Sequence, residues 1–226
     1  MAEARKLVLA VAALLAPALA GCLDPYRAHV DEATLAHTTL EWARADHAQE
    51  DNGGPFGVKT AETDYTHGGQ GPPFPAILQV FSLRTVSRPS TEELLRFTRT
   101  GVDNATAEQG IRIDQQQSAT GQRALAGGVQ TQYFVEEGTS TGSGLFAVNT
   151  KVRIIGEVGY DGRSSTSIVA VGIAQVEESR GCPLGIACGV PTHDEASWIE
   201  MVGDAEGSVA GATSQSGLID HLVTHG

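Results

Sequence analysis

Ala76-Ile-Leu-Gln-Val-Phe-Ser-Leu-Arg-Thr-Val86, followed by Pro89 and Ser90-Thr-Glu-Glu93, is the stretch that decides the fold. Ile77, Leu78, Val80, Phe81, Leu83 and Val86 make a dense apolar strand. Pro89 stops it, because proline has no N–H to give a ladder. Ser90 and Glu93 then have the spacing of a capping box, in which hydroxyl and carboxylate satisfy free N–H groups at a helix start. The helix is predicted to run to about Glu108, with Leu94, Phe97, Val102 and Ala105 near one face, and Gly110 ends it.

Downstream the period changes to two. Ile111 and Ile113 alternate in a short strand. After Gly127-Gly128, Val129, Thr131, Tyr133 and Val135 point one way, and Gln130, Gln132 and Phe134 the other. Glu136 to Gly144 reads as a polar loop, and Leu145 to Tyr160 as one long strand or two, with Val148, Val152, Ile154 and Val158 on one side. Asp161-Gly162 signals a tight hairpin turn in which Gly takes the positive φ. Ile168 to Val176 is apolar on both faces, so it is expected in the middle of a sheet covered on both sides. Trp198, Ile199 and Val202 give a helix opened by His193 or Asp194, and Leu218, Ile219, Leu222 and Val223 a last short helix. The fold class read from this order is α+β: an antiparallel β-meander packed with helices, one main domain over residues 76–226.

Upstream, Asp51 to Pro75 contains Asn52-Gly-Gly-Pro55 and His67-Gly-Gly-Gln-Gly-Pro-Pro-Phe-Pro75. Residues 51–75 are therefore read as a linker or ordered loop, with Phe56, Tyr65 and Phe74 favouring some order. Residues 22–50 are read as an N-terminal segment with a partly helical stripe on Leu35, Leu40, Trp42 and Ala43, capped by Asp24 or Asp31.

The chain begins with Arg5 and Lys6, an apolar run from Leu7 to Leu19, and Leu19-Ala20-Gly21-Cys22. This is the layout of an export signal, and the run is shorter than the roughly 20 residues a membrane span needs. The tetrapeptide resembles the lipobox of prokaryotic lipoproteins. That resemblance implies loss of residues 1–21, acylation of Cys22 and residence in the cell envelope, on the extracytoplasmic face of a membrane. The element order over Ala76–Val176 is similar to the PsbP/Mog1-type sandwich, whose members include non-catalytic assembly and binding proteins.

A net charge of −12 argues against nucleic acid, which needs a basic face. With Cys22 acylated, Cys182 and Cys188 remain, and export favours a disulfide between them, contributing about 2.4 kcal/mol on the chain-entropy model. Zinc on Cys182, Cys188 and His193 is the rival reading. No phosphate loop is present, so no motif calls for a nucleotide or phosphate-bound cofactor. Ser197, His193 and Asp194 contain the types of a triad without its spatial test. His221 and His225 are four apart and on a helix would share a face, so with His193 they form the metal-site alternative. Glu92/Glu93 and Glu136/Glu137 are read as solvated faces, and Asn104-Ala-Thr106 matches the N-glycosylation pattern. The expected function is a non-catalytic, membrane-anchored lipoprotein whose domain binds or assembles with an envelope protein. The alternatives are a metal-dependent extracytoplasmic hydrolase and a small-ligand receptor, although receptors feeding transporters usually need two lobes.

Overall fold

The computed structural model describes residues 24–48, 50–52, 58–67, 76–85, 88–140, 150–178, 192–193, 195–203 and 217–226. It is α+β: an antiparallel sheet with helices. The strands are β1 (His29–Val30), β2 (Ala43–Asp46), β3 (Glu50–Asn52), β4 (Val58–His67), β5 (Ala76–Arg84), β6 (Ile111–Ala124), β7 (Gln130–Ser140), β8 (Thr150–Asp161), β9 (Thr166–Glu178), β10 (Thr192–His193) and β11 (Leu222–Val223). The helices are α1 (Glu32–Ala36), α2 (Thr91–Glu108) and α3 (Ala196–Met201), and a 3₁₀ turn covers Leu218–His221. The large sheet runs β2-β4-β5-β9-β8-β7-β6, with β3 added to β4 and β10 to β9. β1 and β11 make a separate pair.

Strand β9 lies between β5 and β8, and both of its faces are buried, as its two-sided apolar pattern predicts. Ile168, Ala170, Ala174 and Val176 face a core made with Leu78, Val80, Ile155, Trp198, Met201, Leu218 and Trp42. Val169, Val171 and Ile173 face the other core, with Phe81, Leu83, Phe134, Ile154, Leu94 and Val102. The second face is covered by α2, which packs on β6, β7 and β8 and tapers off at β9. The first is covered by α3, the 3₁₀ turn and the N-terminal segment. Phe134 has room for its ring because its neighbour is Gly156: a Cβ there would lie 2.3 Å from the ring.

The capping box is formed: Glu93 N–H donates to Ser90 Oγ at 3.1 Å, and Ser90 N–H donates to Glu93 Oε2 at 3.1 Å. Past the helix end, Gly110 sits at φ +71°.

Several expectations are corrected. The stretch read as linker holds a ten-residue strand, β4, paired along its length with β5. Its inward residues are Ala61, Thr63, Tyr65 and His67, so burial alternates where hydrophobicity barely does. The glycines and prolines of that stretch fall on either side of it in the sequence, not within it. The N-terminal stripe is not one helix. It is β1, the five-residue α1 capped by Asp31, then β2, with Trp42 buried just before β2. Strand β7 continues through Glu136 to Ser140, where a polar loop was expected. The β8–β9 connection is a four-residue turn, and positive φ falls on Ser165 (+53°), not on Gly162. The final apolar run is a 3₁₀ turn followed by β11, not a helix.

Strand β6 is longer than the expected Ile111–Ile113 piece, and it carries a bulge. Its register against β7 shifts between Asp114 and Ser118, so Gln115–Gln117 are extra residues. Three extra residues invert the alternation. Ile111 and Ile113 face the α2 core, whereas Arg123 is directed to the opposite face.

Candidate functional site

Strand β6 ends the large sheet, and among the described residues no strand pairs with its outer edge. Asp114 to Thr120 are all exposed. A row of main-chain N–H and C=O groups is thereby left facing solvent. Beside it, between α2 and the β6–β7 ribbon, lies a groove of about 670 Å³. Leu95, Arg96 and Arg99 line it from the helix, Thr120 and Phe134 from the strands.

Arg99 crosses the floor of this groove. Its Nε donates to Glu136 Oε1 at 2.7 Å, and its guanidinium lies 5.7 Å from the Phe134 ring centroid. Glu136 is only 1% exposed, contrary to the solvated-face reading. Burial pushes its carboxyl above the usual range against the opposing pull of Arg99, and Oε2 has no hydrogen-bond partner. Glu93 is spent on the cap. Arg96 stands 5.2 Å from the ring centroid of Phe97, which is the exposed large apolar side chain among the described residues. The groove thus lies beside an open strand edge and is lined by the cations of Arg96 and Arg99.

A second hollow, of about 390 Å³, lies between α1 and the 3₁₀ turn, with His37 and His221 among its walls. Its carboxylate, Glu200, is committed to structure. It accepts from Thr39 and Leu40 N–H groups, from the Thr39 hydroxyl, and from Trp42 Nε1 at 2.9 Å.

Cys22, Cys182, Cys188 and Asp194 lie outside the described residues. His193 has its main chain paired with Glu177, and its side chain is likewise outside them. Ser197 is fully buried and Asn104 is exposed on α2. His221 and His225 do not share a helical face, because the chain becomes β11 between them. His221 faces the smaller hollow. His225 Nδ1 lies 2.6 Å from Asp161 Oδ2, and its Nε2 lies 2.6 Å from an Arg163 nitrogen.

Two polar clusters escaped the sequence reading. One is buried between sheet and C-terminus: Arg123 Nε and Nη2 reach the two oxygens of Glu157 at 2.9 and 2.7 Å. Thr131 donates to Glu157 Oε1 at 2.6 Å, and Arg123 Nη1 lies 3.1 Å from Asp220 Oδ1. The other joins His47, Glu62 and Asp64 at the β2–β4 edge. A signal for the second was present in Glu62 and Asp64, two carboxylates at strand spacing, but only with β4 recognised as a strand.

Among the described residues no helix is long and apolar enough to cross a membrane. Compared with protein-family models, curated proteins and solved structures, the chain matches none.

Proposed function

We infer that this chain is a non-catalytic lipoprotein, acylated at Cys22, whose single α+β domain binds an envelope protein outside the cytoplasmic membrane. The bound element is an extended segment of the partner, added as a further strand to β6, the last strand of the β9–β6 meander. The observation that carries this reading is the β6 edge, which no strand among the described residues pairs, beside the 670 Å³ groove. Strand addition draws affinity from main-chain hydrogen bonds and specificity from neighbouring pockets, and both features are side by side here. Leu95, a half-buried side chain in the groove wall, supplies apolar contact for such a segment. Binding is preferred to turnover because no phosphate loop occurs in the sequence, and because its one G-x-S-x-G, Gly138-Thr-Ser140-Thr-Gly142, puts Ser140 inside β7, 3% exposed and paired with Ile111 and Thr150, not on an exposed strand-to-helix turn. The anchor rests on the likeness of Leu19-Ala-Gly-Cys22 to a lipobox and on the apolar run before it.

The test is site-specific photo-crosslinking in intact cells. A photoreactive residue at Thr120, on the open edge, is expected to trap one discrete envelope protein. The same residue at Ala43, exposed on β2 at the other end of the sheet, is expected to trap none. Equal adducts at both positions, or none at Thr120, would overturn the assignment of β6 as the binding edge.

A further inference from the structure

His47, Glu62 and Asp64 each offer one ligand atom, and these atoms lie within 4.8 Å of one another. Their placement follows from strand register. Glu62 and Asp64 are two apart on β4, so they project from the same face. His47 immediately follows β2, and its N–H donates to the Glu62 carbonyl at 3.0 Å, which sets it opposite Glu62. Gln79 on β5 is the register partner of Asp64. Four potential donors from three adjacent segments therefore meet on one small area of sheet, away from the strands that α2 covers.

We propose that this cluster is a binding site for a divalent first-row transition metal, with His47 Nε2 and the carboxylates of Glu62 and Asp64 as ligands. A mixed set of one imidazole and two carboxylates suits zinc or manganese better than calcium or magnesium, which take oxygen alone. Ligands at about 2.0–2.2 Å from one ion stand about 3–3.5 Å apart, so the cluster needs only small side-chain adjustments to close. Access is present: the side chains of His47 and Asp64 are 26% and 13% exposed.

The side chain of Gln79 bridges the two carboxylates. Gln79 is 97% buried, and its Nε2 donates to both Glu62 Oε1 (3.3 Å) and Asp64 Oδ1 (3.0 Å). A neutral amide thus holds the two carboxylates together, and half a turn about its last torsion would present its oxygen to a cation. Arg27 reaches the cluster but directs its guanidinium at main chain, donating to the carbonyls of Glu62 and His47. That grip fixes the backbone beneath the ligands, as a supporting shell around a metal does. His47 Nε2 lies 2.8 Å from Asp64 Oδ2, a hydrogen-bonding contact that an ion would replace.

The experiment uses the full chain, extracted in mild detergent and stripped with chelator. Zinc, manganese, calcium and magnesium are titrated in turn by calorimetry. The expected result is about one equivalent of zinc or manganese and no comparable calcium or magnesium binding. Asp64→Asn, isosteric and able to keep the Gln79 contact, should weaken that equivalent at least tenfold. Zinc binding that Asp64→Asn leaves unchanged belongs to another site and overturns the proposal, as does no stoichiometric binding at all. A readout on unaltered protein guards against a misfolded variant: bound zinc should protect His47 from carbethoxylation, measured by peptide mapping. His47 reacting equally with and without saturating zinc would also overturn it.

Discussion

Asp161 is 3% exposed at the end of β8, and three donors converge on it. Thr224 Oγ1 donates at 2.6 Å, Arg163 N–H at 2.8 Å, and His225 Nδ1 lies at 2.6 Å. Burial pushes the carboxyl up, but these contacts outweigh it and hold it below the ordinary value of 3.8. A carboxyl lowered by folding contributes stability above its unfolded value and loses it as pH falls through the folded one. The thermal midpoint of the wild type should therefore fall more steeply below about pH 4 than that of Asp161→Asn. At neutral pH the variant should be the less stable by about 1–3 kcal/mol, since charge-assisted hydrogen bonds are lost. Parallel pH curves would contradict this account. None of these contacts was legible in sequence. Asp161 stands 63 residues from Thr224, and the same residue that signalled a turn also ties down the C-terminus. His225, read as a possible ligand, serves instead as one of its partners.

At the scale of elements, sequence was legible where one physical rule acted alone. Ser90 and Glu93 specify a helix start by local hydrogen bonding, and β9 specifies its central position by having no polar face. Strand β4 was not legible, because its buried face is Ala61, Thr63, Tyr65 and His67 and its other face is polar. Threonine and tyrosine fit a pleated surface through shape and packing, which hydrophobicity alone does not register. Glu136 and Arg123 were misjudged or missed for the converse reason. Each is a charged residue that tertiary neighbours make tolerable inside: Arg99 for Glu136, and Glu157 with Asp220 for Arg123. The bulge on β6 gives an element-scale prediction. Asp114 pairs with Glu137 and Ser118 with Glu136, so deleting Gln115–Gln117 joins two stretches already in continuous register. The deletion should leave the far-UV spectrum unchanged and stability within about 1 kcal/mol, yet raise self-association, because a straight edge pairs with copies of itself. Light scattering that shows no gain in mass would contradict the reading of β6 as an edge open to added strands.

Across the whole molecule, the two ends of the described chain are bound to one another and to the sheet. β1 pairs with β11, Asp31 N–H donates to the His221 carbonyl at 3.0 Å, and Ala126 N–H donates to the Asp220 carbonyl at 2.8 Å. This arrangement places the segment that follows Cys22 on the face covered by α3 and the 3₁₀ turn, and leaves the β6 edge and the α2 groove on other sides. A tether at the N-terminus would then leave the proposed binding edge clear. The candidate metal cluster lies at the β2–β4 edge, with β5, β9, β8 and β7 between β4 and β6, so loss of zinc there need not disturb partner binding at β6. Everything about the proposed role depends on the chain being tethered at Cys22. Intact-mass spectrometry of the protein extracted from the membranes of its own host tests this most directly. The account predicts a species that begins at Cys22 and carries at least two acyl chains, the number needed for stable anchoring. An unmodified species beginning at Met1 in the cytosolic fraction would contradict it.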